Sequence, residues 1–241
     1  NTNFGVLVTH GSIDTLLSKV AASNCGWCID VASSAVRTSI VDSMVSGGTS
    51  AGVCTQSTST KIRNLTAQDC LYGILHGENA GIGSTTAKAW VHGYTFSSSN
   101  IGHYAHGAAP GATVFYRDIS VTHAGGIAIQ CEGAGSTLDV VGAEFTGPAA
   151  ANIFHMANCR LSVDGIRVLA GYSGAGQYGI TRTVAGGSAR IGANCNWGTC
   201  NGVIHTAIDV NVRRITLTGT TPVAVGFAPF VATSHVLVSE F

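Results

Sequence analysis

The chain has few charged residues, few prolines and no long apolar run. Only 10% of its 241 residues are charged, Pro occurs 4 times, and the formal net charge at pH 7 is zero. Lys and Arg form no run, which argues against a nucleic acid or an anionic membrane as a partner. No stretch approaches the roughly 20 apolar residues of a membrane-spanning helix. We therefore expect no nucleic-acid binding and no membrane insertion.

Glycine, in contrast, is abundant, and a short apolar motif recurs along nearly the whole chain. Each copy has a first triplet, a turn rich in Gly, Ser or Asn, and a second triplet that opens on Ile or Val. The openings of the second triplets lie 21 to 27 residues apart. A near-constant period of this size is typical of a solenoid. These openings are Val53, Ile74, Ile101, Ile127, Ile153, Ile180, Val203 and Val225.

The repeat is made of strands, because its apolar pattern alternates with period two over only three to five residues. Parallel pairing of each strand with its equivalent in the next turn, about 4.8 Å away, directs the outer residues of a triplet inward and the middle residue outward. The middle residues of the first triplets are Val45, Thr66, Thr95, Ser120, Glu144, Arg167, Asn196 and Thr216. All but Val45 are polar, as this arrangement requires. The sequence therefore predicts an all-β, right-handed parallel β-helix of about eight coils.

The start of the chain differs from the repeats. Ser12 is a candidate N-cap, and apolar residues at positions 13, 16, 17 and 20 have helical spacing. A solenoid needs its open end covered. We expect a cap segment with a short helix over residues 1–35, the β-helix over 36–230, and a terminal strand within 231–241.

At the level of the repeat, residues 36 to 230 resemble the pectate-lyase-like superfamily of right-handed parallel β-helices. Within it, the chain is most similar to the trimeric tailspikes and tail fibres of bacteriophages. Asn3-Phe4-Gly5 and the segment from Gly11 to Leu17 are similar to the opening common in tailspikes. The resemblance is specific for the fold but not for the function, because the same scaffold hosts lyases, hydrolases, epimerases and binding proteins.

The low charge and the resemblance together lead to a prediction about partners and location. A rod this poor in charge is expected to bury part of its outer surface by self-association. The resemblance implies a homotrimer on the virion surface or outside the cell. Its expected partners are a bacterial surface glycan and other virion proteins, and no cofactor is expected.

Histidines recur at the third position of the second triplets. Thr55, Ile129 and Phe227 occupy the same column, so an inward position with purely structural imidazoles stays open beside glycan contact, catalysis or metal binding. The loop over 170–178 adds Gly, Gln and two Tyr as a possible glycan contact. The candidate binding residues are His76, His103, His155, Arg182, His205, Tyr172 and Tyr178.

Catalytic residues are not apparent. A glycosidase needs two carboxyl groups at a defined separation, and Asp118 and Glu144 are the candidates for such a pair. Glu144, however, is expected to form a surface ion pair with Arg167 in the next turn. Trp90 and Trp197 are expected in the core. Whether the protein is an enzyme stays open at this point.

The eight cysteines do not specify a metal site. Cys25-Gly-Trp-Cys28 has zinc spacing, but no second close pair exists. Buried thiols, local disulfides and a metal site remain alternatives. Three functions follow from the sequence: a virion appendage that binds host polysaccharide, a polysaccharide hydrolase or lyase, and a structural decoration or assembly protein.

Overall fold

The fold is an all-β parallel solenoid. The computed structural model describes residues 3–77, 87–108, 110–132, 134–174, 177–184, 187–192, 194–198, 200, 202–205, 209–212, 223–226 and 236–238. Side chains are described up to residue 203, except at 108, 132, 182–184 and 202. Among the described residues there is no α-helix, and hence none long and apolar enough to span a bilayer.

The strands follow one another in a simple alternation between two sheets. In chain order they are β1 Phe4–Val8, β2 Leu16–Ser18, β3 Ala21–Ser23, β4 Trp27–Val31, β5 Thr38–Ser46, β6 Ala51–Thr55, β7 Thr60–Gln68, β8 Tyr72–His76, β9 Lys88–Ser98, β10 Tyr104–Ala108, β11 Thr113–His123, β12 Gly126–Glu132, β13 Thr137–Thr146, β14 Ala151–Ala157, β15 Arg160–Ala170, β16 Tyr178–Val184, β17 Ser188–Ile191, β18 Gly202–His205, β19 Asp209–Val212, β20 Val223–Gly226 and β21 Val236–Val238.

Each strand pairs with its equivalent in the turns before and after it. The first sheet has the order β1-β4-β6-β8-β10-β12-β14-β16-β18-β20. The second, here called the long sheet, has the order β2-β5-β7-β9-β11-β13-β15-β17-β19-β21, with β3 also paired to β5. All of these pairs are parallel, as in β11, where Ile119 aligns with Tyr94 of β9 and Ala143 of β13. About seven turns, from β4–β5 to β16–β17, carry the solenoid.

The predicted first triplets are confirmed from residue 65 to residue 197, but the earliest is displaced by one position. Leu65, Tyr94 and Ile119 are the first residues of their triplets and are buried, as is the third residue of each triplet. The middle residue is at least partly exposed. In the earlier turn Val45 is fully buried and Met44 is 46% exposed. The alignment of Met44 with Thr66 shows that the triplet there begins at Ser43. The triplet that begins at Ile215 lies outside the described residues.

A second alignment error concerns Ile101-Gly102-His103. Ile101 is 82% exposed and lies in the turn before β10. The residue that aligns with Ile74 in the next turn is His106, which also aligns with Ile129. The turn between β9 and β10 is longer than the corresponding turn before β8. The Ile-x-His pattern at residues 101–103 therefore occupies a different structural position from the one at residues 74–76.

A bend divides every long strand of the long sheet. At this corner one residue per turn has a left-handed backbone, as in Asn64 (φ 52°) and Gly93 (φ 67°). The Asn64 side-chain amide donates to an Asp42 carboxylate oxygen at 2.8 Å. A Cβ on Gly93 would lie 2.7 Å from the Asn64 amide oxygen, so the side chain of one turn occupies the space left by the glycine of the next. The corner residues are Asp42, Asn64, Gly93, Asp118, Gly142 and Gly165.

The predicted N-terminal capping helix is wrong. Its segment forms β2 and β3, both of which pair with β5. Asp14 and Lys19 have left-handed backbones (φ 54° and 55°), which interrupt any helix. Ile13 and Leu16 are 62% and 65% exposed, so they cover no core. The pairing of β1 with β4 carries the ladder of strands back to Phe4.

Candidate functional site

The most distinctive feature of the outer surface is a pair of stacked aromatic rings on the long sheet. Trp90 of β9 aligns with Phe115 of β11 in the next turn. Their ring centroids are 5.9 Å apart and their planes differ by 14°. Trp90 is 38% exposed, so the expectation that it lies in the core is wrong. Aromatic rings that are half-exposed offer an apolar surface with defined geometry to a ligand.

Positively charged side chains surround this ring pair. The Lys88 ammonium lies 5.0 Å from the Trp90 ring centroid and 5.7 Å from that of Phe115, within the range of cation–π attraction. Lys61 aligns with Trp90 in the preceding turn. We call this surface the aromatic–basic face, and it comprises Lys61, Arg63, Lys88, Trp90, His92, Phe115 and Arg117.

The register places these groups in three adjacent files along the solenoid axis. The rings form the middle file together with Lys61. Arg63, His92 and Arg117 align with one another in the file on the corner side. A groove of about 940 Å³ lies over these files. Any ligand lying on the rings is therefore within reach of cations on both sides.

A second, smaller groove lies on the other side of the corner and contains the two candidate acids. It has a volume of about 460 Å³ and is lined by Asp118 and Glu144 among other residues. Glu144 accepts a hydrogen bond from Arg167 at 3.1 Å, which confirms the predicted ion pair. Asp118 lies 3.0 Å from His92 Nε2. Each candidate acid thus contacts a side chain of a neighbouring turn on an exposed surface, Glu144 that of Arg167 and Asp118 that of His92.

The predicted histidine column is not one column. His76 aligns with Thr55 and Ala108. His155 aligns with Thr181, which aligns in turn with His205, and so these residues form a different file. Arg182 aligns with Met156, in the file of Cys131, and His103 precedes β10 in a turn. The side chains of Arg182 and His205 lie outside the described residues. The binding roles assigned to His103, His155, Arg182 and His205 remain predictions.

His76 belongs to a polar cluster inside the solenoid. Its Nδ1 lies 2.6 Å from Thr55 Oγ1, and its ring is 5.1 Å from that of His106. His106 Nδ1 in turn lies 2.8 Å from the Tyr116 hydroxyl. Burial lowers the pKa of His76 to about 3 and lowers that of His106 as well. Both imidazoles are fully buried, and a buried side chain does not fit a glycan contact. His76 fits the alternative of an inward imidazole with a purely structural role.

Of the two predicted loop tyrosines, Tyr172 is fully buried and Tyr178 partly so. The Tyr172 hydroxyl lies 2.9 Å from His123 Nε2 in the core. Tyr172 therefore does not fit a surface contact, while the role of Tyr178 remains a prediction. Trp197 is fully buried, as expected.

His103 lies in a hydrogen-bonded turn. Its Nδ1 is 3.0 Å from Ser98 Oγ, which also contacts Asp69 at 3.2 Å. Ser98 Oγ accepts a hydrogen bond from the backbone of Asn100 as well, and Asp69 accepts one from that of Ser99. These contacts stabilise the turn between β9 and β10.

All eight cysteines are free thiols, and all but Cys25 are buried. The hydrogen bond from Cys70 lowers the pKa of Cys28, and the same contact raises the pKa of Cys70. Within the described ranges, no group of three or more His, Cys, Asp or Glu side chains is arranged to hold a metal ion.

The residues of the aromatic–basic face carry only a faint signal in the sequence. Trp90 stands between Ala89 and Val91, and Phe115 between Val114 and Tyr116, so no contrast between apolar and polar neighbours marks them as outward. Their recurrence in successive repeats, next to Lys61 at the equivalent position, is the pattern that distinguishes them.

Comparison of the chain with protein-family models, with curated proteins and with solved structures found no match in any of the three. The fold is therefore established by the parallel pairing of the strands, and function has to be argued from the surface of this chain.

Proposed function

We propose that the protein is a tailspike-like or tail-fibre-like virion appendage that binds a bacterial surface polysaccharide on the aromatic–basic face. The observation that carries this proposal is the half-exposed stack of Trp90 and Phe115. The C–H faces of sugar rings pack against aromatic surfaces, while the hydroxyl groups around the ring need hydrogen-bond donors at the edges of the platform. Arg63 and Arg117 supply such donors.

The regularity of the solenoid supports a polymer as the ligand. Files of outward residues repeat with the turn spacing of about 4.8 Å. Trp90 and Phe115 thus offer similar contacts in two neighbouring turns, and Lys61 and Asp139 flank them in the same file. Backbone pairing between turns fixes the positions of these side chains before a ligand arrives, which lowers the entropic cost of binding. A homotrimer on the virion surface, in which other virion proteins hold the rod, remains part of this proposal.

Binding is favoured over catalysis by the contacts of the candidate acids. Glu144 is in an ion pair with Arg167, and Asp118 contacts the His92 imidazole. A polysaccharide that is bound and left intact is the expected result, measured as unchanged reducing ends and unchanged ultraviolet absorbance of unsaturated products. Cleavage of a bound polysaccharide would show that the protein is a hydrolase or lyase and would contradict the proposal of binding without catalysis.

Replacement of Trp90 by alanine is expected to weaken binding about tenfold, because loss of an aromatic residue at the centre of a contact surface costs more than about 1 kcal/mol. The measurement is a titration of the protein against purified capsular and O-antigen polysaccharides, first with the unchanged protein and then with Trp90→Ala on the polysaccharide that binds.

Tyr104→Ala is the matched control for this variant. Tyr104 stacks on Tyr72 with centroids 5.0 Å apart, on the first sheet and away from the aromatic–basic face. It should leave the affinity unchanged. Equal losses in both variants, or none in Trp90→Ala, would show that the glycan binds elsewhere.

A further inference from the structure

We infer that the aromatic–basic face selects acidic polysaccharides, those with carboxylate or sulfate groups on their sugar rings, over neutral ones. This inference rests on the proposed function and narrows its ligand class. The observation behind it is the distribution of charge around the rings, which the overall net charge of zero conceals.

Among the described residues that line the groove there are cations and no carboxylate, and Asp139, which follows the two rings in the same file, is paired with Arg117. Lys61, Arg63 and Arg117 line it directly, and Lys88 borders it through its contact with the rings. These four cations lie on one face of the long sheet, in three adjacent files of three successive turns. A surface concentration of one charge in a chain with only 10% charged residues attracts ligands of the opposite sign.

Among the described residues, three of these four cations, Lys61, Arg63 and Lys88, have no ion pair with a carboxylate. The fourth, Arg117, donates to Asp139 at 3.0 Å. Lys61 and Arg63 are exposed. Their charges are therefore available to a ligand, and the flat Arg63 guanidinium suits a carboxylate or sulfate that can accept two hydrogen bonds.

The positions of the cations fit substituents on a stacked sugar. Lys88 lies beside the rings in one outer file, and Arg63 and Arg117 lie in the other. A sugar ring on the aromatic platform would present its substituents toward both files.

The test compares acidic with neutral polysaccharides. Alginate, hyaluronan and chondroitin sulfate are titrated beside dextran at about 0.1 M and about 1 M salt, between which the Debye length falls from about 10 Å to about 3 Å. We expect at least one acidic polysaccharide to bind about tenfold or more tightly than dextran at the lower salt concentration, and to lose that advantage at the higher.

The charge variant is Lys61→Gln with Arg63→Gln. It should weaken binding of the acidic polysaccharide about fivefold or more and leave dextran unaffected. Lys19→Gln with Arg160→Gln removes two exposed cations from other turns, neither of which has an ion pair among the described residues. It is the matched control and is expected to bind as the unchanged protein does.

Each other result overturns the inference in a recognisable way. Equal binding of acidic and neutral polysaccharides, insensitive to salt, rejects selection by charge and leaves the proposed function in place. Binding of no polysaccharide, here or among the bacterial polysaccharides, rejects both. Equally tight binding of a single-stranded oligonucleotide identifies a general polyanion site. A changed sedimentation coefficient in the Lys61/Arg63 variant identifies the face as a contact between subunits.

Discussion

Gly73→Ala is expected to lower the free energy of unfolding by about 3 kcal/mol or more, although it adds only one methyl group. A Cβ at this position would overlap the Tyr94 hydroxyl oxygen and lie 2.6 Å from the Phe96 ring. Tyr94 and Phe96 are buried on the long sheet. The Tyr94 hydroxyl donates to the Ala105 carbonyl at 2.8 Å, so that moving the ring also breaks a buried hydrogen bond.

Chemical denaturation of both proteins measures this effect, and Gly125→Ala is the control. At Gly125 an added Cβ would meet Ile101 carbons at 3.5 and 3.6 Å, which is ordinary contact, so a change within about 0.5 kcal/mol is expected. A Gly73 variant as stable as the Gly125 variant would contradict the packing of the first sheet against Tyr94 and Phe96.

Acid is expected to destabilise the protein steeply below pH 6.5, because two imidazoles are held neutral in the core. Burial lowers the folded-state pKa of His76 to about 3 and lowers that of His106. Between the unfolded pKa of about 6.5 and these values, the unfolded chain binds protons that the folded chain does not, so stability falls as pH falls. Each histidine contributes about 1.4 kcal/mol per pH unit in that range.

From pH 6.5 to pH 4.5 His76 alone should therefore cost about 2.5 kcal/mol, and His106 adds to this loss in the same direction. Asp14 and Asp69, whose pKa values are lowered by hydrogen bonds from Arg37 and from the Ser99 backbone, act mainly below this range. Burial raises the pKa of Asp30, so protonation of this carboxylate increases the free energy of unfolding as the pH falls. Comparison of variants at the same two pH values removes these contributions.

His76→Asn isolates one member of the pair. Denaturation at the two pH values should show a dependence smaller by about 1.4 kcal/mol per pH unit, whatever the variant's stability at neutral pH. Thr55→Val removes the hydrogen-bond partner of His76 but no titrating group, and should lower stability without changing the dependence. An unchanged dependence in His76→Asn would show that His76 is not buried as a neutral group.

The solenoid could be predicted from the sequence because the apolar residues recur with the period of the turn and alternate with polar residues within each strand. Leu65, Tyr94 and Ile119 open triplets whose inward and outward positions the structure confirms. The helix predicted for the N-terminal segment was wrong for a physical reason. Two short strands separated by a left-handed Lys19 place apolar residues at intervals that a helix would also produce.

The candidate site could not be predicted, because the corner changes the alternation. Tyr94 points inward, and Trp90, four residues earlier, would do so as well in a regular strand. Gly93, with its left-handed backbone, shifts the alternation by one residue and turns Trp90 outward. Small shifts of register likewise produced the apparent histidine column, because a slip of one residue in a strand moves a side chain to the opposite face. The sequence of one repeat taken alone shows neither the shift at the corner nor the change of register between turns.

The register that brings Trp90 against Phe115 is the central claim of this account, and disulfide cross-linking tests it directly. Thr95 and Ser120 are exposed and aligned in adjacent turns of the same two strands. Their Cα atoms should be about 4.8 Å apart, within the range a disulfide spans. Thr95 and Glu144 stand two turns apart in the same file, beyond the limit of about 7 Å.

In a chain with Cys25→Ser, the pair Thr95→Cys and Ser120→Cys is therefore expected to cross-link on mild oxidation, whereas Thr95→Cys and Glu144→Cys should remain reduced. Mass spectrometry of the digested protein identifies the bond. Cross-linking of the second pair in place of the first would contradict the register, the stack of Trp90 on Phe115 and the site built on it.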